Sequence, residues 1–373
     1  MTPVLGRRAL NRATLDRQLL LHRCELPVVA AVEHLVGLQA QTPHTWYIGL
    51  WSRLAGFTPE QAADLLTDRT LIRIALMRST IHLVTPQDAG ALRPLIQPVL
   101  DRDLYRNHTH GKPIEGIDMA KLIADGAELL AAKPLTNKQL GALLAQRWPG
   151  RAPASLVYAI RNQVPLVQVP PRGVWGRSGP IAHTTADAWL GVGSTGPASL
   201  EQMILRYLAA FGPAGVKDVQ MWSGLTKLRE VVDRIRPDLM VFRDQHGQEL
   251  FDLPDAARPD PDTPAPPRFL YDFDNLLLSY ADRTRVITDE YGKQGYRTQR
   301  HAPQILLLDG FTAGDWVITR DTGSVTITIH PYARPFTTED AAAVTEEADA
   351  LLAFTDPGAR TRNIVFGEAR RPV

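Results

Sequence analysis

The chain has 373 residues, of which 44% are hydrophobic and 22% are charged, and its formal net charge is +1. This length accommodates two or three domains with hydrophobic cores, and the composition excludes a disordered or fibrous protein. No apolar run approaches the roughly 18 residues of a membrane span, and the first 30 residues lack a signal-peptide core, so we expect no membrane partner. Cys24 is the single cysteine, which excludes an internal disulfide and favours a reduced, cytoplasmic protein.

The small net charge conceals an uneven distribution along the chain. Residues 1–250 contain 28 Lys and Arg against 21 Asp and Glu, whereas residues 251–373 contain 13 against 19. A basic amino-terminal part followed by an acidic remainder is typical of a nucleic-acid-facing region joined to a supporting one. An excess of this size can also arise by chance.

The predicted elements follow a repeating order of three helices and a β-hairpin. In the amino-terminal segment, helices near 14–21, 28–38 and 59–67 precede a hairpin of Leu71–Met77 and Thr80–Val84. The middle segment has the clearest signals, which predict the helix Met119–Ala132, a second helix capped by Thr136, and the helix Pro153–Gln163. A hairpin follows, with strands Leu166–Val169 and Val174–Gly176 around the turn Pro170–Gly173.

The same order returns at 199–253. Ser199 caps a helix that ends near Phe211, and two shorter helices and a hairpin follow, at Val216–Trp222, Leu225–Ile235, Leu239–Arg243 and Glu249–Leu253. Residues 254–267 contain six prolines and predict a linker or an extended strap. Beyond it we predict strands Ile305–Leu308, Trp316–Arg320 and Val325–His330, and a closing helix Thr338–Phe354.

Three helices followed by a hairpin is the order of a winged helix. We therefore predict an α+β protein with three tandem winged-helix motifs, at 1–115, 116–195 and 196–256, and a small α+β unit at 257–373. Such an array is less usual for a transcriptional regulator, which more often carries one copy per subunit and binds DNA as a dimer.

Few residues have the pattern of a catalytic or metal site. No phosphate-binding glycine loop or serine elbow is present, and His108 and His110 have no carboxylate or cysteine at metal-ligand spacing, so we expect no metal. What remains is Gln39 and Gln41, two amides two positions apart before Pro43. Pro43 disfavours helical geometry at Thr42, so we expect the preceding helix to end here. At an irregular helix end, both amides can face one space and hold a water, or they can simply satisfy backbone groups.

Several segments resemble the winged-helix DNA glycosylases of the AlkZ type. The resemblance rests on Gly37–Pro43 with Gly49–Arg53, Met77–Val84, Pro171–Gly179, and Phe273–Ser279 with Ala281–Arg283, and it spans essentially the whole chain. In the related AlkX branch the glutamine–apolar–glutamine motif ends in aspartate, so Gln41 places this chain on the AlkZ side.

The resemblance implies a function. It implies that three winged helices form a concave basic surface for duplex DNA, that Gln39 and Gln41 are catalytic, and that a hairpin enters the cleft. The AlkZ branch resembles self-resistance enzymes that remove bulky alkylated purines, including cross-linked ones. We therefore expect a monomeric, nucleoid-associated DNA glycosylase without a cofactor.

The candidate DNA contacts lie on the predicted wings and on one later strand. They are Arg78, Thr80, His82, Arg172, Trp175, Arg177, Arg283 and Arg285. Alternatives remain open for some of them: His82 can be a buried histidine, Trp175 can pack the wing, and Arg283 and Arg285 can face the cleft or pair with Asp282. Trp46 and Trp51 are expected in the core.

The residues themselves constrain the chemistry. Alkylation at N7 makes guanine cationic, so the base can leave without protonation by the enzyme. Neutral amides can orient a water, but they are poor acids and bases, which disfavours neutral lesions such as uracil. No lysine nucleophile stands out, so we expect hydrolysis without strand cleavage. The rival hypotheses are a noncatalytic DNA-binding regulator or lesion sensor, and an interaction protein whose wings contact protein; neither has a need for the amide pair.

Overall fold

The computed structural model describes residues 2–191, 199–293 and 303–370, and in these residues the architecture is α+β with three sheets. The helices, α1 to α14, are Arg7–Arg17, Val28–His34, Trp46–Trp51, Pro59–Thr67, Pro86–Tyr105, Met119–Ala132, Asn137–Arg147, Pro153–Gln163, Ala186–Leu190, Leu200–Phe211, Val216–Ser223, Arg229–Ile235, Asp289–Lys293 and Thr338–Thr355. The strands, β1 to β14, are Val4–Leu5, Leu38–Gln39, Ile72–Ala75, Ile81–Val84, Leu135–Thr136, Leu166–Gln168, Ala182–Thr185, Met240–Asp244, Glu249–Asp252, Arg268–Phe269, Gln304–Leu308, Phe311–Asp321, Ser324–Pro331 and Thr361–Phe366.

The largest sheet joins the first two predicted units. Its six strands lie in the order β2-β4-β3-β6-β7-β5. β3 and β4 form an antiparallel hairpin, and β3 also pairs with β6, with Ile74 opposite Val167. The predicted boundary after residue 115 therefore does not separate two independent sheets, while the boundary after residue 195 lies outside the described residues.

The other two sheets complete the third and fourth units. The sheet β1-β8-β9 takes its first strand from the amino-terminal segment, since Val4 and Leu5 pair in parallel with Arg243 and Asp244. The sheet β10-β11-β12-β13-β14 packs against α14, whose Leu351 and Leu352 are fully buried. The chain segments are thus interlocked across the predicted units.

The six-stranded sheet separates two hydrophobic clusters. Side chains alternate between the faces of a strand, and Ile81 and Leu83 pack on the side of α3 and α14. Ile74 and Val84 pack on the opposite side, against residues of α5, α10 and α11. The second of these faces carries the candidate site.

Most helices of the middle and third segments lie where the sequence predicts them. α6, α8 and α10 match their predicted bounds, because apolar periodicity and end signals coincide there. The Thr136 hydroxyl accepts a hydrogen bond from the Gln139 backbone, and the Gln139 side chain accepts one from the Thr136 backbone, which fixes the start of α7. Trp46 and Trp51 are buried, as expected.

Several predictions about strand and helix ends were wrong. The helix predicted near 14–21 is α1 at Arg7–Arg17, and the helix predicted at Leu225–Ile235 begins at Arg229. The helix predicted at 28–38 stops at His34, because Val36 and Gly37 have left-handed backbone, with φ of 54° and 88°. A Cβ at Gly37 would lie 2.6 Å from the Val84 side chain, so this close approach requires glycine.

A further error concerns the hairpin predicted in the middle segment. Its return strand is β7 at Ala182–Thr185 and not Val174–Gly176. Residues 169–181 instead form a loop, which we call the 169–181 loop, with tight turns at Gly173 and Gly176. The Trp175 backbone N–H donates to the Tyr47 hydroxyl rather than to a strand.

Candidate active site

Gln39 lies at the end of a strand and Gln41 in the bend after it, not at a helix end as predicted. Gln39 is the last residue of β2 and faces His82 of β4, while the Ala40 N–H donates to the Ile81 carbonyl at 2.7 Å. β2 ends at Gln39, and Gln41 lies in the bend that follows it, so the alternation of side chains along a strand fixes the side of the sheet only for Gln39. Because Gln39 is opposite His82, this side is the face that packs against α5, α10 and α11.

The carbonyl oxygens of both glutamines are held by groups that can only donate. Arg78 Nη2 donates to Gln39 Oε1 at 2.7 Å, and the Ile81 N–H donates to Gln41 Oε1 at 3.1 Å. Each Oε1 atom therefore faces its donor, and no described residue accepts a hydrogen bond from either Nε2. Gln39 is 3% exposed, whereas Gln41 is exposed. Each amide can still donate through its nitrogen and accept once more through its oxygen.

Arg78 connects Gln39 to two other parts of the chain. It belongs to the β3–β4 turn, residues 76–80, where Arg78 and Ser79 both have φ near 60°. Besides Gln39, its guanidinium donates to the Trp222 carbonyl at 2.6 Å and to Asn275 Oδ1 at 3.1 Å. Burial lowers the pKa of Arg78 to about 10, so it remains a cation at neutral pH.

The segments that resemble the glycosylases converge around Gln39. Asn275 accepts from Arg78 and donates through Nδ2 to the Gly37 carbonyl at 3.2 Å. One residue before it, Asp274 forms a two-point ion pair with Arg53, both bonds at 2.9 Å, and both side chains are buried. Removing one partner of such a buried pair typically costs about 3–5 kcal/mol, so it is an anchor for the Asn275 segment.

His82 and Thr80, predicted to contact DNA, are engaged inside the hairpin. His82 is fully buried, its Nδ1 lies 3.0 Å from the Thr80 carbonyl, and its Nε2 has no described partner. Burial and the nearby Arg78 charge lower the pKa of His82 to about 3, so the ring is neutral. The interior position corrects the predicted DNA contact of His82. The half-buried Thr80 donates its hydroxyl to the Met77 carbonyl at 3.0 Å.

An open cleft of about 940 Å³ adjoins the β3–β4 turn, whose Arg78 and Ser79 are among its described lining residues. It runs between the carboxyl-terminal half of α5 and α11, and Arg78 forms part of its wall. The charged or ionisable side chains of its described lining are Arg78, Arg102, Asp103, Arg106, His108 and Lys217. Arg106 and Lys217 are exposed and pair with no described carboxylate, so the cleft presents free positive charge.

The 169–181 loop lies beside Ala40 rather than in this cleft. Buried Arg73 connects the two, since its guanidinium donates to the Ala40 carbonyl at 2.8 Å and to the Arg172 carbonyl at 3.4 Å. Trp175 packs against Tyr47 with ring centroids 4.9 Å apart, which is the packing role left open by its sequence. Arg172 is half-buried and donates to the Gly179 carbonyl, whereas Arg177 is exposed and pairs with no described carboxylate.

The two candidate arginines of the 281–285 segment have opposite environments. Arg285 is buried, donates to the Pro213 carbonyl at 2.8 Å and stacks on Tyr280, so the predicted DNA contact is wrong for this residue. Arg283 is half-buried, its guanidinium has no described hydrogen-bond partner, and its charge is close enough to Arg78 to lower the pKa of Arg78. It stays a candidate phosphate contact.

The sequence prediction missed the residues of α5 that line the cleft. Arg102, Asp103 and Arg106 belong to α5, a helix that was not predicted because Pro94 and Pro98 interrupt its pattern. The signals that could have revealed this helix are Thr85 and Pro86, since the Thr85 hydroxyl accepts from the Asp88 backbone and proline occupies the first turn.

In the part of the chain that the structure describes, no helix is long and apolar enough to cross a membrane, and no His, Cys, Asp and Glu side chains form a metal-binding group. The fold and site define a protein with a polar amide pair beside a cation-lined cleft, an arrangement suited to a polyanionic ligand.

Comparison with known proteins identifies the class further. The sequence matches the family "DNA glycosylase AlkZ-like" over residues 32–354, and the chain belongs to this family of DNA glycosylases. Its structure is similar to that of the DNA glycosylase AlkZ of Streptomyces sahachiroi, with a TM-score of 0.76 and 21% sequence identity. That alignment covers 97% of this chain and 100% of the AlkZ chain, which shows a shared fold. No curated protein matches the sequence.

Proposed function

We propose that this protein is a monofunctional DNA glycosylase that hydrolyses the N-glycosidic bond of N7-alkylated purines in duplex DNA. The observation that carries the proposal is the placement of Gln39 and Gln41. They lie two positions apart at the end of β2, their carbonyl oxygens are fixed by donor-only partners on the β3–β4 hairpin, and one of those partners, Arg78, also forms part of the cleft wall. A DNA-binding regulator has no use for such a pair.

The amides fit a reaction in which the substrate supplies its own activation. A purine alkylated at N7 is already cationic and can leave without a general acid. The transition state has oxocarbenium character, so the enzyme must place a water and tolerate positive charge. Gln39 and Gln41 each retain one acceptor lone pair and two amide hydrogens, which suffice to orient a water but not to deprotonate it strongly.

The proposed DNA path uses the cleft and the helix–hairpin units. In this proposal the units at 1–115, 116–195 and 196–256 are winged-helix motifs whose surfaces together accept a duplex. Arg106 and Lys217 are exposed, unpaired with described carboxylates, and are suited to phosphate contacts. Arg283 near Arg78 would add a third such contact.

The adduct is proposed to be bulky, including natural-product cross-links removed for base excision repair or self-resistance. A cleft of about 940 Å³ is at the upper end of the range that holds drug-sized ligands, so it has room for more than a methyl group. The protein is proposed to act as a monomer without a cofactor.

The decisive experiment is incubation of pure protein with a duplex containing one N7-methylguanine, followed by alkaline cleavage of the abasic site. We expect strand scission only after alkali, and no release of uracil from a matched duplex. Efficient uracil release would contradict the proposal, because it requires a general acid.

Borohydride trapping tests the absence of a lyase step. The expected result is no covalent protein–DNA adduct, since hydrolysis forms no Schiff base. A trapped adduct would implicate Lys217, the one lysine among the described residues that line the cleft, and its loss in a Lys217→Ala variant would establish this.

A further inference from the structure

Asp103 is the one carboxylate among the described residues that line the cation-rich cleft. Arg78, Arg102, Arg106 and Lys217 surround the same space. None of these cations forms an ion pair with Asp103; Arg102, for example, donates to the Gly224 carbonyl at 2.9 Å. The carboxylate is therefore not neutralised by the arginines beside it.

Two hydroxyl groups hold this carboxylate in one orientation. Ser79 Oγ donates to Asp103 Oδ2 at 2.9 Å, and the Tyr158 hydroxyl donates to the same oxygen at 2.8 Å. Oδ1 has no described partner, and it is not among the polar atoms that are buried without one. Because both donors engage Oδ2, the acceptor capacity of Oδ1 stays unused, and Asp103 is among the residues that line both the cleft and a smaller pocket beside Tyr158.

The position of Asp103 is unfavourable for a charge with only a structural role. It lies in the last turn of α5, where the helix dipole favours cations and disfavours carboxylates. Asparagine would accept the same two hydrogen bonds without the charge. A carboxylate also repels phosphate, so it works against the DNA affinity that the neighbouring arginines provide.

We propose that Asp103 is a specificity-determining residue that supplies the counter-charge for a cationic base in the cleft. The inference rests on the proposed function, since an N7-alkylated purine carries the positive charge that Oδ1 would face. Ser79 binds Asp103, and its neighbour Arg78 binds Gln39, so one turn positions both the counter-charge and the first of the two amides. The arginines then recognise phosphates, and Asp103 distinguishes a cationic lesion from a neutral base.

The test measures binding to three duplexes that differ in one base. All three carry a 2′-fluoro-arabinose sugar, which resists hydrolysis, and the bases are guanine, N7-methylguanine and its neutral isostere 7-methyl-7-deazaguanine. Wild-type protein should bind the cationic lesion about five- to tenfold more tightly than the isostere, the scale of one close charge pair near a protein surface. Asp103→Asn should remove this preference while changing affinity for the guanine duplex little.

Asp101→Asn is the matched control. Asp101 lies on the same helix but accepts from the Gln97 and Gln163 side chains, at 2.7 and 2.8 Å, and is not among the residues lining the cleft. It should retain the full preference. Ser79→Ala removes one hydrogen bond to the Asp103 carboxylate but keeps its charge, so this variant should retain part of the preference for the cationic duplex. It serves as the second test if Asp103→Asn folds poorly.

The outcomes separate this inference from the proposed function. If Asp103→Asn keeps the wild-type ratio between the cationic and neutral duplexes, Asp103 only anchors the turn and the inference is wrong. An absence of any preference in wild-type protein would also overturn it. The proposed function is tested independently of both results by measuring, in parallel, whether wild-type protein releases the base from a duplex that carries N7-methylguanine on an ordinary deoxyribose.

Discussion

The β3–β4 turn and the 169–181 loop both carry arginines between short strands, yet they use them differently. Arg78 of the turn is tied to Gln39, Trp222 and Asn275, and its burial lowers the pKa of the guanidinium to about 10. Arg177 of the loop is exposed and pairs with no described carboxylate. An arginine in a hairpin turn therefore does not by itself predict a phosphate contact; what its guanidinium already binds decides its role.

The largest effects on base release should come from substitution of Gln39 and Gln41. Gln39→Ala and Gln41→Ala should each reduce the rate of base release from N7-methylguanine DNA about ten- to a thousandfold, as expected when a positioned transition-state contact is lost. Duplex affinity should change little, because phosphates dominate it. Single-turnover excision and binding isotherms measure the two quantities. Gln245→Ala, an exposed glutamine in the turn between β8 and β9, is the matched control; near-wild-type excision by the double amide variant would refute the catalytic assignment.

Arg78 should behave as a positioning residue for Gln39. Arg78→Met removes the three hydrogen bonds of the guanidinium, and we expect a roughly ten- to hundredfold lower kcat with nearly unchanged affinity, since misplacement of a catalytic group by about 1 Å costs on this order. Arg78→Lys keeps the charge but not the planar fork, so it should restore only part of the rate. If Arg78→Met instead loses much of its DNA affinity and has a smaller slope of log affinity against log salt, Arg78 binds phosphate. Its role would then be the same as the one proposed for Arg177.

Local sequence signals were sufficient for much of the fold. Helices such as α6, α8 and α10 combine apolar periodicity with a cap or proline at the start, and these signals act within a few residues. By contrast, the pairing of β3 with β6 depends on contacts across about 100 residues, which no local pattern encodes. The same holds for the parallel pairing of β1 with β8.

The candidate site was predictable only in part for the same reason. The amides stood out in the sequence, but Arg78, which binds Gln39, is 39 residues away from it, and Asn275, which binds Arg78, is more than 200 residues away. Arg283 and Arg285 have the same local sequence context, and only the tertiary structure shows that one is buried on Tyr280 and the other is not. Burial and partner identity are long-range properties, so residue type alone could not separate them.

Acid should destabilise the protein through buried histidines of the six-stranded sheet. Burial lowers the pKa of both His82 and His183 to about 3, from 6.5 in the unfolded chain. Below pH 6.5 the unfolded state therefore binds more protons, and the free energy of unfolding should fall as the pH drops toward 3. Each histidine contributes at most about 1.4 kcal/mol per pH unit in this window.

Chemical denaturation at pH 7 and pH 5 measures this loss. His82→Gln should lose less stability than the wild type between the two pH values, because glutamine does not titrate. His246→Gln, which changes an exposed histidine in the turn between β8 and β9, should lose as much as the wild type. If His82→Gln and the wild type lose the same free energy of unfolding between pH 7 and pH 5, His82 reaches solvent. The hairpin interior would then be solvent-accessible, as the exposed part of the 169–181 loop is.

The smallest effect should show which of two basic surfaces, the 169–181 loop or the cleft, contacts DNA. Two double variants are compared. Arg172→Ala combined with Arg177→Ala removes positive charge from the 169–181 loop, and Arg106→Ala combined with Lys217→Ala removes the same charge from the cleft. Each lost phosphate contact should lower the slope of log affinity against log salt by roughly one unit and weaken binding a few-fold, with little sequence preference. Lys133→Ala, an exposed lysine outside both surfaces, controls for net charge. If only the cleft pair lowers the slope, the duplex lies along α5 and α11; if only the loop pair does, the duplex lies beside Ala40 and the cleft is left for the adduct. A loss in both pairs places DNA across the β3–β4 turn, with Gln41 between the two surfaces.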